Sequence, residues 1–203
     1  MANSNLKLYH FDEKGRAEVL RLILTLAGKS FEDIRMTRQE WLEVKPTMPF
    51  GQVPVLEVDG HKFCQGVAIA NYLADEFGFY GETTLDRLRI DMISQLVYDF
   101  RFNAAQYYFS NNGITNPAIG DTIREEHVPK YLSFLEQLLK ENVGKFMVGD
   151  SITLADLVVF DMVTGFLGEF VEPKSAEYPI LKDLVDRVGN HEKIKQYLAE
   201  KYP

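Results

Sequence analysis

The sequence is poor in three features that would assign it to familiar classes. Its 203 residues include one cysteine, Cys64, so an internal disulfide is excluded and a reducing compartment is expected. No uninterrupted apolar run approaches the roughly 18 residues that a membrane span requires, so no membrane association is predicted. Basic residues number 22 against 30 acidic ones. The resulting net charge of -8 argues against nucleic-acid binding, because phosphate backbones would be repelled.

Two further signals are also missing. The first eleven residues, MANSNLKLYHF, are polar and then strand-like, without the basic segment and apolar core of a secretory signal. We therefore expect a cytoplasmic protein. The four histidines do not recur at the spacing of a zinc site, so no metal is predicted. The hydrophobic content of 46% is enough to fill a core, which argues against disorder.

The first third of the chain alternates strand and helix signals. Apolar residues alternate in the strands and recur at helical spacing in the helices, and Asp59-Gly60 is a strong hairpin signal between two strands. This order predicts an α/β domain of about 80 residues. The predicted elements are strands at 6–11, 31–36, 53–58 and 62–64 and helices at 16–27 and 67–77.

Strand signals fade after a plausible linker at 77–81, and the composition becomes helical. Thr153 and Asp156 form a T-x-x-D pattern, which predicts a capped helix start. The chain is therefore divided into an α/β domain at 1–79 and an all-helical domain at 82–203. Helices are predicted near 83–111, 121–141, 153–169, 179–188 and 191–200.

Three blocks in register carry a family resemblance. They are Lys7–Phe11 running into Gly15–Glu18, then Glu40-Trp41 with Lys45 and the stretch Met48–Gly60, and finally Gln65–Leu73. Together with Tyr98–Phe100 and Gly149–Asp156, they resemble the sigma-class glutathione transferases. The resemblance implies a thioredoxin-like N-terminal domain, a helical C-terminal domain and a homodimer. It also implies glutathione as co-substrate and a small hydrophobic electrophile as its partner in the reaction.

The resemblance assigns the γ-glutamyl end of glutathione to Gln65 and Gly66. A helix N-terminus offers free N–H groups and a positive dipole end to a carboxylate, so the chemistry agrees. Without the resemblance, the two residues would merely start a helix. Val53 is assigned to the ligand backbone, with a cis bond to Pro54; from sequence alone, a trans bond is more common.

The same family pattern assigns the glycine carboxylate of glutathione to Trp41, Lys45 and Gln52. Trp41 and Lys45 are one helical turn apart and can face the same way, although an anchor and a solvated charge are the alternatives. Arg16 matches an arginine that holds the site or favours the thiolate. Asp99 matches a residue that reaches glutathione in the neighbouring subunit; otherwise it is one more exposed acid.

The catalytic tyrosine of the family is absent. It lies five residues before the glycine of the G-R-A-E block, and in this sequence that position is His10. The adjacent Tyr9 belongs to the opposite face of the strand and is not assigned the role. His10 could accept the thiol proton or pair with the thiolate as imidazolium. The alternative is a strand histidine in a site that no longer turns over.

The second departure is Gly66, where the family usually has serine. The backbone N–H is kept, but a hydroxyl that would bind a carboxylate is lost. Two readings therefore stay open. The first is an enzyme that conjugates glutathione to electrophiles, or uses it in peroxidase or isomerase chemistry. The second is a non-catalytic member of the family, either a crystallin-like structural protein or a ligand binder.

Overall fold

A four-stranded sheet organises the first part of the chain in a computed structural model, which describes residues 4–109, 117–142 and 145–202. The strand order is β2-β1-β3-β4, with β1 parallel to β2 and antiparallel to β3, and β3 antiparallel to β4. This is the thioredoxin-like arrangement that was predicted. The strands are β1 (Leu6–Phe11), β2 (Glu32–Met36), β3 (Val55–Val58) and β4 (His61–Cys64).

Helices complete this α/β part. The apolar stripe predicted for the first helix is buried from Val19 to Leu24, and this helix packs against the helix that follows β4. One face of β1 is buried as well, because Leu6, Leu8 and His10 are all at most 2% exposed. The helices are α1 (Glu18–Ala27), preceded by a 3-10 turn at Gly15–Ala17, α2 (Arg38–Val44) and α3 (Gly66–Phe77).

The β3–β4 hairpin forms where Asp59-Gly60 predicted it. Both turn residues have positive φ, 49° and 85°, which is the backbone that a two-residue turn of this handedness requires. Cys64, at the end of β4, is only partly buried.

The second part of the described chain is helical. Its central helix is α7, in which every residue from Leu154 to Val163 is buried, and which packs against α4 and α9. A wider, π-type turn at Ile123–His127 joins α5 to α6. The helices are α4 (Thr84–Phe109), α5 (Pro117–Thr122), α6 (Val128–Glu141), α7 (Leu154–Thr164), α8 (Gly168–Ser175) and α9 (Pro179–Gly189).

One predicted helix is broken in two. The prediction of a single helix at 153–169 missed the interruption after Thr164. A Cβ at Gly165 would lie 2.3 Å from the Asp161 carbonyl oxygen, so only glycine fits the tight turn that separates α7 from α8. Residues 110 and 111 of the predicted 83–111 helix lie outside the described residues.

The final helix, α10 (Glu192–Lys201), belongs to the α/β unit by its contacts. It packs against α1, and Lys193 Nζ donates to the Leu26 carbonyl at 2.7 Å. Contacts therefore group the residues up to Phe79 with those from Glu192 onward, whereas residues 80–191 form the second unit. The predicted split at 1–79 and 82–203 had placed this helix in the helical domain.

Among residues 4–109, 117–142 and 145–202, no helix is both long and apolar enough to cross a membrane.

Candidate active site

The structure brings Arg16, Val53 and Gly66 together around a cis peptide bond. The Val53–Pro54 bond is cis, and Arg16 Nη2 donates to the Val53 carbonyl at 2.7 Å. A Cβ built at Gly66 would lie 3.4 Å from Pro54 Cγ and 3.6 Å from the Arg16 carbonyl oxygen. Val53 itself is 4% exposed. The strand entry at Val53 and the start of α3 therefore adjoin the turn that carries Arg16.

Gln65 stands at the entrance to α3 with an unusual backbone. Its φ is 75° and its ψ is 100°, a region that non-glycine residues seldom occupy, and its side chain makes no cap hydrogen bond. Such backbone strain persists where the surroundings impose it, and it concentrates at functional sites. The exposed side chain of Gln65 and the first-turn N–H groups of α3 thus lie at the same helix end.

A capping box sets the position of Trp41. The Glu40 carboxylate accepts from the Thr37 N–H at 2.7 Å, and Thr37 Oγ1 accepts in return from the Glu40 N–H at 3.2 Å. The Trp41 ring, one residue further along α2, meets Phe11 edge-to-face with centroids 6.0 Å apart. Trp41 therefore lies at the end of β1 that leads into the Arg16 turn.

Lys45 comes after the end of α2 and begins a short 3-10 turn. Its side chain lies against the loop before β3, because Lys45 Cε is 3.4 Å from the position of a Cβ on Gly51. The next residue, Gln52, is extended and exposed. Lys45 and Gln52 therefore border the same short loop.

His10 is buried and neutral. Burial, together with the positive charge of Arg21, lowers the pKa of His10 to about 4. Its Nδ1 lies 3.3 Å from the Phe11 carbonyl oxygen, and because a carbonyl only accepts, Nδ1 must carry the hydrogen. At neutral pH the ring therefore has one remaining polar atom, Nε2, which is a hydrogen-bond acceptor.

Tyr9 is engaged elsewhere. Its hydroxyl donates to the Glu57 carboxylate at 2.9 Å, and burial and this hydrogen bond raise the pKa of Tyr9 to about 12. Lys62 Nζ lies 5.4 Å from the centre of the Tyr9 ring. Tyr9 therefore interacts with strands β3 and β4, on the opposite face of β1 from His10.

Sequence reasoning missed a buried ionic cluster beside this site. Arg21 is 0% exposed and Glu18 is 2% exposed, although both lie on the otherwise apolar α1. The available signal was two opposite charges, i and i+3, inside an apolar helix. The cluster consists of Glu18, Arg21, Asp33, Arg35, Tyr197 and Tyr202.

Asp99 belongs to the helical unit, whereas the other predicted site residues belong to the α/β unit. It is exposed on α4, in the helical unit. Within the described residues, the structure contains no group of three or more histidine, cysteine or acidic side chains that could hold a metal ion.

Family models match both parts of the chain. The model of the glutathione S-transferase N-terminal domain matches residues 4–75, and that of the C-terminal domain matches residues 98–201. The chain belongs to the glutathione S-transferase family. The resemblance stated from sequence is therefore confirmed at the level of the family and of its two-part fold.

Individual members of the family resemble the chain over nearly its whole length. A glutathione S-transferase of Anopheles gambiae is 37% identical over 196 residues, which is 96% of each chain. The structure of prostaglandin synthase D of Nilaparvata lugens superposes with a TM-score of 0.88 at 32% identity, covering 98% of both chains. A monomeric glutathione S-transferase of the hookworm Necator americanus gives 0.87 at 33% identity, also covering 98% of both.

Proposed function

We propose that this protein is a glutathione transferase that joins the sulfur of glutathione to small hydrophobic electrophiles. The main support is that the cis Val53–Pro54 bond, Arg16 and the start of α3 lie side by side. The chain also belongs to the glutathione S-transferase family. In the reaction, the thiol loses its proton to solvent and the thiolate sulfur bonds to the electrophilic carbon, which releases its leaving group. Peroxide reduction and isomerisation would use the same thiolate.

The proposal lays glutathione along the main chain at Val53. The γ-glutamyl carboxylate would meet Gln65 and the N–H groups at Gly66, where the positive end of the α3 dipole favours an anion. The glycine carboxylate would meet Trp41 and the Lys45 ammonium, with Gln52 beside them. The Lys45 ammonium and the helix end would offset the two carboxylates in a protein whose net charge is -8.

Activation of the thiol is assigned chiefly to Arg16. A thiol with a pKa near 8.5 would have to give its proton to an imidazole with a pKa of about 4, an uphill transfer of about 6 kcal/mol. His10 Nδ1 donates to the Phe11 carbonyl, so the neutral ring has no second N–H for a thiolate. The catalytic role of His10 therefore stays a prediction, limited to accepting a hydrogen bond at Nε2.

The burial and neutrality of His10 favour a second candidate, a family member that binds glutathione without catalysis. A buried neutral histidine in place of the tyrosine O–H removes the donor that stabilises the thiolate. Steady-state rates with common electrophiles separate the two candidates. A rate no higher than free glutathione gives, together with measurable glutathione binding by calorimetry, supports the non-catalytic candidate. Absence of binding at millimolar glutathione removes both.

Arg16 provides the sharper test of the enzyme proposal. We expect Arg16→Ala to lower kcat/KM by roughly a hundred-fold, since both the hydrogen bond to Val53 and the charge near the sulfur are lost. Arg16→Lys keeps the charge but not the guanidinium, so it should weaken glutathione binding while retaining the acidity of the bound thiol. Thiolate absorbance across pH 5 to 9 measures that acidity. Equal acidity in the wild type and Arg16→Ala would overturn the assignment.

The sigma class and the homodimer complete the proposal. The class rests on the three motif blocks, and the dimer is supported by exposed apolar side chains on the α/β unit. Phe50, Phe63 and Tyr72 are 77%, 53% and 42% exposed. The last two border a cleft of about 540 Å³. A set of exposed apolar residues such as Phe50, Phe63 and Tyr72 is typical of an interface.

In such a dimer, Asp99 would reach the glutathione of the partner subunit. A cytoplasmic role in detoxification accords with this chemistry.

A further inference from the structure

One buried side chain, Arg21, donates hydrogen bonds to the backbone carbonyls of the turn after β1. Arg21 Nη1 donates to the carbonyls of Glu13 at 2.8 Å and Lys14 at 3.3 Å. Arg21 Nη2 lies 3.5 Å from the Phe11 carbonyl, which also accepts from the Glu13 N–H at 2.8 Å. Gly15 and Arg16 follow directly, so the guanidinium sets the course of the backbone that delivers Arg16 to Val53.

Two carboxylates hold this guanidinium in place. Glu18 Oε2 is 3.2 Å from Arg21 Nη1, and Asp33 Oδ1, on β2, is 3.1 Å from Arg21 Nε. Burying an arginine with its guanidinium fixed requires such partners, because an unpaired buried charge is strongly unfavourable. The carboxylates thus turn a mobile side chain into a rigid support.

The carboxylates are in turn held by α10 and the residue that follows it. The Tyr197 hydroxyl donates to Glu18 Oε1 at 3.0 Å, and the Tyr202 hydroxyl donates to Glu18 Oε2 at 2.8 Å. Arg35 donates to Asp33 Oδ2 at 2.7 Å and, through Nη2, to Tyr202 Oη at 3.2 Å. A continuous chain of hydrogen bonds therefore leads from the two tyrosines to the turn that carries Arg16.

We propose that Tyr197 and Tyr202 are positioning residues for the glutathione site, acting through Glu18 and Arg21 on the turn before Arg16. This inference rests on the proposed function for its consequence and on the ionic cluster for its mechanism. Both hydroxyls donate to Glu18 and not to Val53 or Arg16. Their effect is to keep Glu18 saturated with donors, so that Glu18 and Arg21 keep one geometry.

The first test is independent of any ligand. In the Tyr197→Phe, Tyr202→Phe double variant, we expect the amides of residues 13–16 to lose protection against hydrogen exchange by roughly ten-fold, because the Glu18 carboxylate loses the two tyrosine hydroxyls that donate to it. The control is Tyr80→Phe in the helical unit, whose hydroxyl donates to Asp91 Oδ1 at 2.6 Å. It removes the same kind of hydrogen bond and should leave residues 13–16 unchanged.

The second test measures the consequence for the site. We expect the double variant to raise KM for glutathione roughly five-fold, with KM for the electrophile unchanged and kcat within about two-fold. Tyr80→Phe should change none of these at a matched loss of Tm. Unchanged exchange at residues 13–16, or a loosened turn with an unchanged glutathione KM, overturns the inference. A wild type that binds no glutathione instead removes the proposed function, and the exchange measurement still decides whether the cluster holds the turn.

Discussion

At the scale of single residues, His10 and Gly66 are the two departures from the family pattern, and the structure gives them different characters. His10 lies on the buried face of β1 with Leu6 and Leu8, so its environment is set by the core of the α/β unit. Gly66 lies at the start of α3, where an added Cβ would make ordinary van der Waals contacts with Pro54 and the Arg16 carbonyl. The first change alters the chemistry available for the thiol, and the second alters only one contact to a carboxylate.

The buried imidazole should give the protein a pH-dependent stability. The pKa of His10 is about 4 in the folded protein and 6.5 when unfolded, so the unfolded chain binds more protons between these values. Stability therefore rises with pH through this window. We expect the free energy of unfolding of the wild type, relative to His10→Phe, to increase by roughly 3 kcal/mol from pH 4 to 6.5.

Urea unfolding at several pH values and one protein concentration measures this difference. His61→Gln, which removes an exposed imidazole in the β3–β4 hairpin, is the control. A His10→Phe difference that is flat over the same range would mean that His10 titrates normally, and that the ring reaches solvent.

Restoring the serine at position 66 should strengthen glutathione binding. A Cβ there meets Pro54 Cγ at 3.4 Å and nothing nearer, and the φ of Gly66 is not positive, so Gly66→Ser fits without strain. The added hydroxyl would donate to the γ-glutamyl carboxylate, which we expect to lower the Kd about ten-fold by calorimetry. Ala68→Ser adds an exposed hydroxyl further along α3 and should leave the Kd unchanged. An equal effect of both substitutions would contradict the assignment of the carboxylate to the helix start.

At the scale of elements, the start of α7 is fixed by hydrogen bonds to one carboxylate. The predicted T-x-x-D cap is present: Asp156 Oδ2 accepts from the Thr153 N–H at 2.7 Å and from its hydroxyl at 2.8 Å. The structure adds a bond that the pattern does not contain, from the Met147 N–H to Asp156 Oδ1 at 2.8 Å. The same carboxylate thus caps α7 and fastens the segment before it.

Removing this carboxylate should cost more than an ordinary cap. We expect Asp156→Ala to lower the free energy of unfolding by about 3 kcal/mol, since two buried N–H groups lose their acceptor. Asp150→Ala, an exposed acid in the same segment, should change it by less than about 0.5 kcal/mol. Thermal and urea unfolding measure both. A loss near 1 kcal/mol would mean that the Met147 bond contributes nothing.

Asp156 also opposes His10 in its dependence on pH. Burial raises the pKa of Asp156 to about 6, so the folded protein binds the extra proton between about pH 4 and 6. Its contribution to stability is full below this window and is lost as the pH rises through it. The two groups therefore partly cancel in the wild type, and only comparison with the single variants separates them.

At the scale of the whole molecule, we expect Phe50 to be an anchor of the proposed dimer interface. This residue is 77% exposed and has a φ of 54°, so the loop presents a large apolar ring to solvent at a backbone position that bulky residues avoid. We expect Phe50→Ser to weaken the dimer by ten-fold or more, as the loss of an interface anchor does. Sedimentation at micromolar concentration measures the change.

Leu42→Ser is the matched control, because Leu42 is 69% exposed on α2 and lies outside the loop before β3. It should leave the association unchanged. A wild type that sediments as a monomer, like the hookworm relative described as monomeric, would remove the dimer and the role of Asp99 with it.

Much of this protein is determined by local patterns. Alternating and helical periodicities located the sheet and most helices, Asp59-Gly60 located the hairpin, and Thr153 with Asp156 located the start of α7. These features depend on backbone propensities and on neighbours a few residues apart, so they can be read along the chain. The motif blocks likewise contain Arg16 and Gly66, which the structure places beside Val53 and Pro54.

Other features depend on contacts between distant residues, and only the tertiary structure decided them. The attachment of α10 to the α/β unit follows from Tyr197 and Tyr202, whose partner Glu18 lies more than 170 positions away. The break between α7 and α8 depends on the space around Gly165. The neutrality of His10 is the clearest case. Its reference pKa allows either charge state near pH 6.5, and burial beside the Arg21 guanidinium selects the neutral ring, since charge is costly where water is excluded.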